Sequence, residues 1–455
     1  MRTGILSYML LLLTLSAAAQ QEPKGTGEFT LQAAVDYALK HNTNYLNAEL
    51  EILQTKYKKN EITGLGLPQI TGSFDVRDLI NVPTFVVANR ADTTGKYPYA
   101  PFQMGLKYSV NPNISISQLI INSDYFMGVL SSKQYMLLAE KNVQRGKADV
   151  IQNVSKAYYM VLINKERIKL LDANLIRLKK LLDDTKAYNK EGLVEKIDVD
   201  RLEVNYNNLV TEKAKTERLI DLSEALLKFQ MGYKLSDAIV LSDKLNAEAP
   251  INSEISEESK INFSNRPEFS ILETQQRINQ IDIRRGKMAY LPNIVAYASL
   301  GYNAYNIKFN FMSKSNPDNP LGKYYPSTVI GATLNLPIFD GLQKHWKIQQ
   351  AKLNLVKTSN SLQGLQMAIE FEAKSASVNY QNALASMETQ KKNMALAQSI
   401  YDVSEKKYQQ GLGSNVEMLN AQTSLAESQT NYFNAIYDML VAKLDYMKAT
   451  GALVK

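Results

Sequence analysis

Apolar and polar residues alternate strictly along the segment MGLKYSVNPNISIS at residues 104–117. Every even-numbered position in it is apolar: Met104, Leu106, Tyr108, Val110, Pro112, Ile114 and Ile116. A period of two places all of these side chains on one face of a β-strand and the intervening residues on the other face. The segment therefore predicts a long strand with one apolar and one polar face.

Four segments with this period predict four strands, near residues 68–78, 103–118, 292–305 and 325–339. Strands of about ten such residues are typical of outer-membrane barrels, and a half-buried strand of a soluble sandwich has the same pattern. In a barrel, Ile114 and Ile116 would face lipid, while Ser115 and Ser117 would face the lumen.

The number of strands limits what one chain can build. The smallest single-chain barrels have about eight strands, so four strands form a barrel only if several chains pool them. The segments between paired strands, residues 79–102 and 306–324, are rich in Asn, Pro, Lys and aromatic side chains. They are predicted to be external loops.

A period of seven follows the second strand of each pair. It runs through Val154, Val161, Ile168, Leu175 and Leu182, and again 219 positions later through Ala373, Tyr380, Met387, Met394 and Tyr401. Sustained heptads predict helices that supercoil against their neighbours. A solitary amphipathic helix fits less well, because ordinary helices average about three turns. The two segments are therefore predicted to form long coiled-coil helices.

The offset of 219 also relates two pairs of glycines, which indicates an internal repeat. Gly192 and Gly411 lie in the similar segments NKEGLVEKIDV and YQQGLGSNVEM, and Gly232 and Gly451 close the helices that follow them. The first repeat is predicted to cover residues 20–239, with long helices ending at about 232, and the second to cover 240–455, with long helices ending at about 451. Each repeat is expected to run helix, strand, strand, long helix, helix.

The first residues predict export. Arg2 precedes an apolar run that ends in three alanines at positions 17–19, which is the pattern of a signal peptide cleaved near Ala19. The remaining sequence has no segment that is long and apolar enough for a spanning helix, so a mature chain that enters a membrane is expected to do so as a closed barrel.

Composition argues against most kinds of chemistry. The chain has no cysteine, which excludes disulfides, thiolate ligands and a lipid anchor on cysteine, and it has two histidines, His41 and His345, each in a predicted helix. No nucleophile–base pair, metal cluster or phosphate-binding glycine loop stands out, so we expect neither an enzyme nor a cofactor. The net charge of +7 comes from interspersed Lys and Glu, which is typical of solvated helix faces and argues against nucleic-acid binding.

Several short motifs, taken in order, resemble the outer membrane efflux protein family, the TolC-like exit ducts. They are FTLQAAVDYALKHNTNY near the start, LPQI and LPNI before the outward strands, NRPEF at the second repeat, and the two GL pairs at Gly192-Leu193 and Gly411-Leu412. Each motif is weak alone, whereas their order, spacing and duplication are specific.

The resemblance implies an α+β membrane protein that is a homotrimer. Four strands from each chain would form one twelve-stranded outer-membrane barrel, and the paired helices would continue it as an antiparallel coiled-coil tunnel through the periplasm. The implied partners are a periplasmic adaptor protein, an inner-membrane pump and outer-membrane lipid.

The resemblance also assigns roles to residues at the inner tip of the tunnel. Adaptor docking falls on Gly192, Leu193, Gly411 and Leu412, and the tip gate on Glu417, Asn420, Asp198 and Tyr408. Gly413 stands where relatives have a basic residue that closes the gate by an ion pair. Glu417 is equally interpreted as a helix N-terminal acid stabilised by the helix dipole, and the leucines as internal staples of their turns.

The function implied is an exit duct of a tripartite efflux or secretion system, a passive channel driven by an inner-membrane pump. The alternative from another class is a periplasmic coiled-coil scaffold or adaptor without a pore. Adaptors have one hairpin inserted between β domains, whereas this chain has a duplicated repeat with strands between its helices.

Overall fold

The computed structural model describes residues 27–88, 93, 95–96, 99–245, 262–311 and 320–453. The predicted signal peptide at residues 1–19, with its cleavage site near Ala19, lies outside the described residues. The chain divides into two compact units, one containing Val143–Pro267, the other Glu49–Asn142 and Glu268–Leu365. The first unit also contains the described residues up to Ala48 and those from Gln366 onward.

Long helices dominate the described residues. They are α1 (Leu31–His41), α2 (Thr43–Gly64), α3 (Ser123–Lys190), α4 (Lys196–Met231), α5 (Pro267–Met288), α6 (Gln343–Gln409) and α7 (Asn415–Ala449). The longest, α3 and α6, have 68 and 67 residues, and each is followed by a helix of 36 or 35 residues. None of the described helices is both long and apolar enough to cross a membrane.

The strands of the described residues fall into one large sheet and two short pairs. They are β1 (Glu28–Phe29), β2 (Gln69–Asp78), β3 (Thr84–Ala88), β4 (Tyr99–Gln103), β5 (Tyr108–Ile121), β6 (Val240–Leu241), β7 (Asn293–Asn306) and β8 (Tyr324–Asn335). The large sheet has the order β2-β5-β7-β8, and each neighbouring pair is antiparallel. The prediction of long helices with four antiparallel strands is confirmed.

The register of the large sheet separates apolar from polar side chains. One row across the sheet joins Ile70, Ile116, Ala298 and Ile330, and the next residues along each strand form the row Thr71, Ser115, Ser299 and Val329. On the polar face, the Oγ atoms of Thr71 and Ser115 lie 2.7 Å apart, and Ser299 donates to Asn113 Oδ1 over 2.7 Å. The residues that alternate along each strand therefore form one apolar face and one hydrogen-bonded polar face.

The segment predicted as the first external loop contains a hairpin. β3 pairs with β4 from Thr84 opposite Gln103 to Ala88 opposite Tyr99, and Gly105 then turns the chain with φ +121°. Since residue 103 belongs to β4, the second sheet strand begins at Tyr108, later than the predicted 103. Met104 and Leu106 share the period of β5 but precede it, because the turn at Gly105 interrupts the extended backbone.

The first repeat starts with two helices, whereas one was predicted. Asn42 separates α1 from α2: its Oδ1 accepts from the amides of Asn44 and Tyr45 and so caps α2, while its Nδ2 donates to Gln230 O over 2.8 Å. A short helical turn at Phe263–Asn265 precedes α5 in the second repeat. The two repeats therefore differ before their first long strand.

The core of the first unit is built from heptad positions. Val154, Val161 and Leu182 of α3 are buried, as are Tyr380 and Tyr401 of α6. They belong to clusters that also include residues of α4 and α7. Because a side chain every seven residues stays on one helix face, these heptad positions supply part of the core of the first unit.

The C-termini of α4 and α7 pack closely against other backbone. Gly232 has φ +70°, and a Cβ added there would lie 2.3 Å from His41 O. Gly451 has φ +72°, and its added Cβ would lie 2.8 Å from Asn265 Cβ and 3.0 Å from the backbone oxygen of Asn265. Only glycine meets both requirements, a left-handed backbone and no side chain.

Candidate functional site

The turn between α3 and α4 is a glycine-centred helix cap. Gly192 has φ +73°, its amide donates to Asn189 O over 3.1 Å, and the Leu193 amide donates to Tyr188 O over 3.0 Å. These two bonds form a Schellman motif, which satisfies carbonyl groups that a helix end leaves without partners. Asn189 Nδ2 also donates to Val194 O over 2.8 Å and fixes the exit from the turn.

The turn between α6 and α7 repeats this geometry. Gly411 has φ +72°, its amide donates to Tyr408 O over 3.0 Å, and the Leu412 amide donates to Lys407 O over 2.9 Å. A Cβ added at Gly192 or Gly411 would meet no atom within 4 Å, so backbone conformation alone requires glycine at both places.

The leucine that follows each glycine is exposed. Leu193 has 72% of its surface accessible and Leu412 has 79%. A leucine that packed against its own turn would bury most of its side chain. The exposure of both leucines therefore argues against internal packing. Two exposed leucines on two rigid, equivalent turns are suited to contact with another protein.

Glu417 lies in the first turn of α7 and has two local partners. Its amide donates to the side chain of Ser414, the N-cap, over 3.1 Å, and its carboxylate lies 3.3 Å from Lys407 Nζ. Both charged side chains are about half exposed, so the ion pair is weak in the single chain. Asn420, the other predicted gate residue of α7, is exposed one turn further on.

The ion pair with Lys407 was missed from the sequence. Gly413 occupies the position of the expected basic residue after Gly411, whereas the lysine that pairs with Glu417 comes before the turn, in the last turn of α6. The cap folds the chain back, and the Gly413 amide also donates to Lys407 O over 3.2 Å. The sequence signal for this ion pair is a lysine in the last helical turn before a glycine cap.

Asp198 and Tyr408 have other surroundings. Asp198, in the first turn of α4, lies 4.0 Å from Arg201 Nη1, and its carbonyl oxygen accepts from Asn415 Nδ2 over 3.4 Å. The Tyr408 hydroxyl lies 3.1 Å from the buried Thr185 Oγ1. These two contacts hold the start of α4 against the start of α7 and the end of α3 against the end of α6. Each gate carboxylate has its own cationic neighbour, Arg201 for Asp198 and Lys407 for Glu417.

A buried polar layer, which the heptad pattern did not indicate, connects the long helices. Asn174 Nδ2 donates to Gln429 Oε1 over 2.9 Å, and Asn174 Oδ1 accepts from both Gln422 Nε2 and Arg177. The Arg177 guanidinium also lies over the Tyr401 ring, 5.2 Å from its centre. Because an unsatisfied buried polar group costs about 1–3 kcal/mol, this layer favours one register of α3 against α7.

The pKa of the Tyr401 phenol is raised, although the Arg177 guanidinium of this layer opposes the rise. Burial raises the pKa of this phenol to about 12, and the Glu405 carboxylate, which accepts from the phenol over 3.3 Å, contributes to the rise. Tyr401 is therefore a neutral, packed hydrogen-bond donor at neutral pH.

Comparisons with known proteins agree with this architecture. A protein-family profile described as Outer membrane efflux protein matches residues 263–452. Outer membrane protein TolC of Escherichia coli (strain K12) is 23% identical over an alignment of 355 residues that covers 76% of this chain and 70% of that protein.

Solved structures share the fold. CusC, whose structures concern folding and transmembrane channel formation, superposes with a TM-score of 0.75 at 13% identity, covering 92% of this chain and 91% of that one. The CmeC outer membrane channel of Campylobacter jejuni superposes with a TM-score of 0.73 at 17% identity, covering 93% and 85%. The resemblance inferred from the sequence motifs is confirmed. Residues 263–452 belong to the outer membrane efflux protein family, and the described chain has the fold of the TolC-like outer-membrane channels of efflux and secretion systems.

Proposed function

We propose that the channel is a homotrimer in which three four-stranded sheets join edge to edge into one twelve-stranded barrel. The observation that carries this proposal is the open sheet: β2 and β8 are both edges, and one face is apolar and exposed. In hydrocarbon each unpaired backbone group costs several kcal/mol, so both edges need partners. A second copy of the same sheet supplies them.

Strand direction and lumen size favour three copies. Because the order β2-β5-β7-β8 is antiparallel throughout, β8 of one chain runs opposite to β2 of the next and can continue the pattern. Two copies would give about eight strands, whose interior is filled by side chains, whereas three copies are the smallest ring with an open lumen. The apolar row containing Ile70 and Ile330 then faces lipid, and the polar row containing Ser115 faces water.

The two turns are proposed to dock a periplasmic adaptor. Leu193 and Leu412 present the same exposed side chain on the same rigid cap, once in each repeat. In a trimer they would form two similar sets of three apolar contacts, which suits a partner with repeated hairpins. The channel itself is passive, and an inner-membrane pump linked through the adaptor supplies the energy.

The gate is proposed to involve Glu417, Asn420, Asp198 and Tyr408 of each chain. Symmetry would place three copies of every gate carboxylate around one axis, where they repel each other and attract cations. The Lys407–Glu417 pair moderates this charge within each chain. Opening would separate the carboxylates and widen the passage.

We also infer that the exported chain loses residues 1–19. The apolar run and its three alanines support cleavage near Ala19. The intact mass of protein extracted from outer membranes is expected to match a chain that starts after Ala19. A mass that includes the leader would contradict cleavage.

Disulfide cross-linking tests the pooled barrel, because the chain has no cysteine of its own. Cysteine is placed on the β2 edge by Ser73→Cys and on the β8 edge by Ser327→Cys, Val329→Cys or Thr333→Cys, one at a time. Oxidation of at least one combination is expected to give a ladder that ends at three chains. The control variant carries Thr71→Cys and Ser115→Cys, which lie opposite each other within one chain. If the control closes while every edge pair leaves monomers, the pooled barrel is wrong.

Docking is tested by the double variant Leu193→Asp and Leu412→Asp. Both leucines are exposed, so the trimer should assemble with unchanged heat stability, while cross-linking to the adaptor and export should be lost. The matched control, Leu193→Met with Leu412→Met, should retain both activities. A double Asp variant that does not assemble would make the leucines core residues, and one that exports normally would remove the docking assignment.

A further inference from the structure

A cavity of about 620 Å³ lies in the first unit, between α1, α3, α7 and the segment that follows β6. Its volume is within the range of about 300–1,000 Å³ that is usual for binding sites of small molecules. The roles proposed above involve the large sheet and the two glycine turns, and none of the residues assigned to those roles lines this cavity. The cavity is therefore a separate candidate site.

The cavity is elongated along α3. The α3 residues that line it extend over about four turns of helix, a rise of ~22 Å. Gln152 Nε2 donates to Asp445 Oδ1 over 2.6 Å. Lys448, which comes later in α7, donates to Asp149, which comes earlier in α3, over 2.7 Å. Since α7 thus passes α3 in the opposite direction, the two helices form a long groove that suits a long, thin ligand.

The walls of the cavity are mainly apolar. Ile151 of α3, Val35 of α1, and Leu444 and Met447 of α7 all line it. Val35 and Leu444 are also buried members of the protein interior. An alkyl chain laid against these side chains would be removed from water, which is the main favourable contribution to the binding of apolar groups.

The charged side chains of the cavity give an excess of positive charge. They are Asp36, Lys147, Asp243, Lys244 and Lys443. Asp243 Oδ2 already accepts from the Leu31 amide over 2.8 Å and from the Tyr158 hydroxyl over 2.9 Å. Neither Lys147 nor Lys244 forms an ion pair with any residue that the structure describes. The chemistry of the cavity therefore favours an anion.

Two of the lysines, Lys244 and Lys443, lie near one end of the cavity. Lys244 follows the carboxylate that contacts Tyr158. Lys443 lies near the same turn of α3, because Asp445, two residues later, is 2.5 Å from Lys156 Nζ. Burial lowers the pKa of the half-buried Lys443 ammonium, and an anion beside it would offset the lost hydration. The third lysine of the cavity is about three turns away along α3.

We propose that the cavity binds an amphipathic anion, an alkyl chain that ends in one carboxylate. The carboxylate contacts Lys443 and Lys244, and the chain lies along Ile151, Leu444 and Met447. This inference goes beyond the proposed function and does not depend on the barrel, since every residue that lines the cavity belongs to the first unit. Charge complementarity at one end and apolar walls along the rest favour this ligand over a neutral chain or a small anion.

Protection of a single thiol measures occupation of the cavity. The chain has no cysteine, so Met447→Cys places the only thiol on the cavity wall. The full chain is reconstituted into phosphatidylcholine nanodiscs and labelled with an uncharged maleimide in the presence of octanoate, octanol or acetate. Octanoate is expected to slow labelling most, because it alone combines the alkyl chain with the negative charge.

The control thiol is Thr211→Cys, which is exposed on α4 outside the cavity and should be labelled equally with and without octanoate. If octanol protects Met447→Cys as well as octanoate does, the cavity is only apolar and the anion site is wrong. Equal protection by acetate would remove the role of the alkyl chain. A thiol at position 447 that reacts with no maleimide even without these compounds would mean that another part of the protein fills the cavity, which would also overturn the proposal.

The carboxylate contacts are tested by Lys443→Gln and by Lys244→Gln, each combined with Met447→Cys. The octanoate concentration that gives half-maximal protection should rise by about tenfold in the Lys443 variant and by less in the variant of the exposed Lys244, while protection by octanol stays unchanged. The matched control is Lys147→Gln, which removes the distant lysine of the same cavity and should bind octanoate as the parent does.

The two lysine variants also guard against a folding defect. Lys244 lies in an exposed segment, so Lys244→Gln tests the carboxylate contact even if Lys443→Gln does not fold. Unchanged octanoate protection in the folded variants would overturn the assignment of these lysines. An equal loss of protection in Lys147→Gln would overturn it as well, because the charge of the ligand would then not be confined to one end of the cavity.

Discussion

Arginine substitution at two neighbouring residues of β5 tests which face of the sheet meets lipid. Ile114 is the seventh residue of the 14-residue strand Tyr108–Ile121. At about 3.3 Å per residue and a tilt near 45°, the strand would rise ~33 Å, so in the proposed barrel Ile114 would lie near the middle of the hydrocarbon layer. It lies between Gly72 and Leu300, on the apolar face.

The expected cost differs between the two positions. Arginine near the midplane on the lipid face costs about 2–4 kcal/mol, which applies to Ile114→Arg. Ser115 lies on the other face and loses its 2.7 Å contact with Thr71 Oγ1, so Ser115→Arg should cost about 0.5–1.5 kcal/mol in a hydrated lumen. The same side chain is added in both variants, so each is the control for the other.

The free energy of unfolding is measured by urea titration of protein folded in vesicles, with unboiled gel mobility as the reading of folded trimer. We expect the loss at Ile114 to exceed that at Ser115 by about 1 kcal/mol or more, which is about fivefold in the unfolding equilibrium. Equal losses, or a larger loss at Ser115, would refute the assignment of the apolar face to lipid.

Three further changes test the helical part of the channel. Gly232→Ala should destabilise the chain more than Gly192→Ala. Both glycines have positive φ, which costs an alanine about 1–2 kcal/mol, but only at Gly232 would the new Cβ meet a carbonyl oxygen, at 2.3 Å. Equal melting temperatures of the two variants would contradict this. The pKa of the Tyr401 phenol is raised from 10 in the unfolded chain to about 12 in the folded chain. Its neutral form therefore stabilises the fold below pH 10, and this stability is lost as pH rises from 10 to about 12. Tyr401→Phe should accordingly make the melting temperature fall less steeply with pH in this range. Glu417→Ala should raise conductance in planar bilayers and weaken block by divalent cations, and unchanged currents would place the constriction elsewhere.

The faces of the sheet could be predicted from the sequence because a strand has the simplest side-chain period. Once Ile114 and Ile116 were assigned to one face, the antiparallel register brought them level with Ile70 and Ile330 without further information. The long helices were predictable for the same reason, since the heptads through Val154 and Tyr380 mark the buried seam.

Features that depend on which polar or short segments meet in the folded chain were not predictable. The hairpin of β3 and β4 lies in a segment whose composition indicates a loop, and its strands have only five residues each. The buried layer around Asn174 consists of polar residues that a heptad pattern assigns to solvent, and only packing against Gln429 of α7 shows them to be internal. Lys407 was missed because its partner lies across a turn of the chain.

The number of chains in the assembled channel tests the central claim most directly. The mass of the assembly, extracted from outer membranes in mild detergent, is measured by native mass spectrometry after the detergent is removed in the gas phase. A mass of three chains is predicted, because three four-stranded sheets are the fewest that leave an open lumen when every edge is paired. A stable single chain, or an assembly of two, would contradict the account.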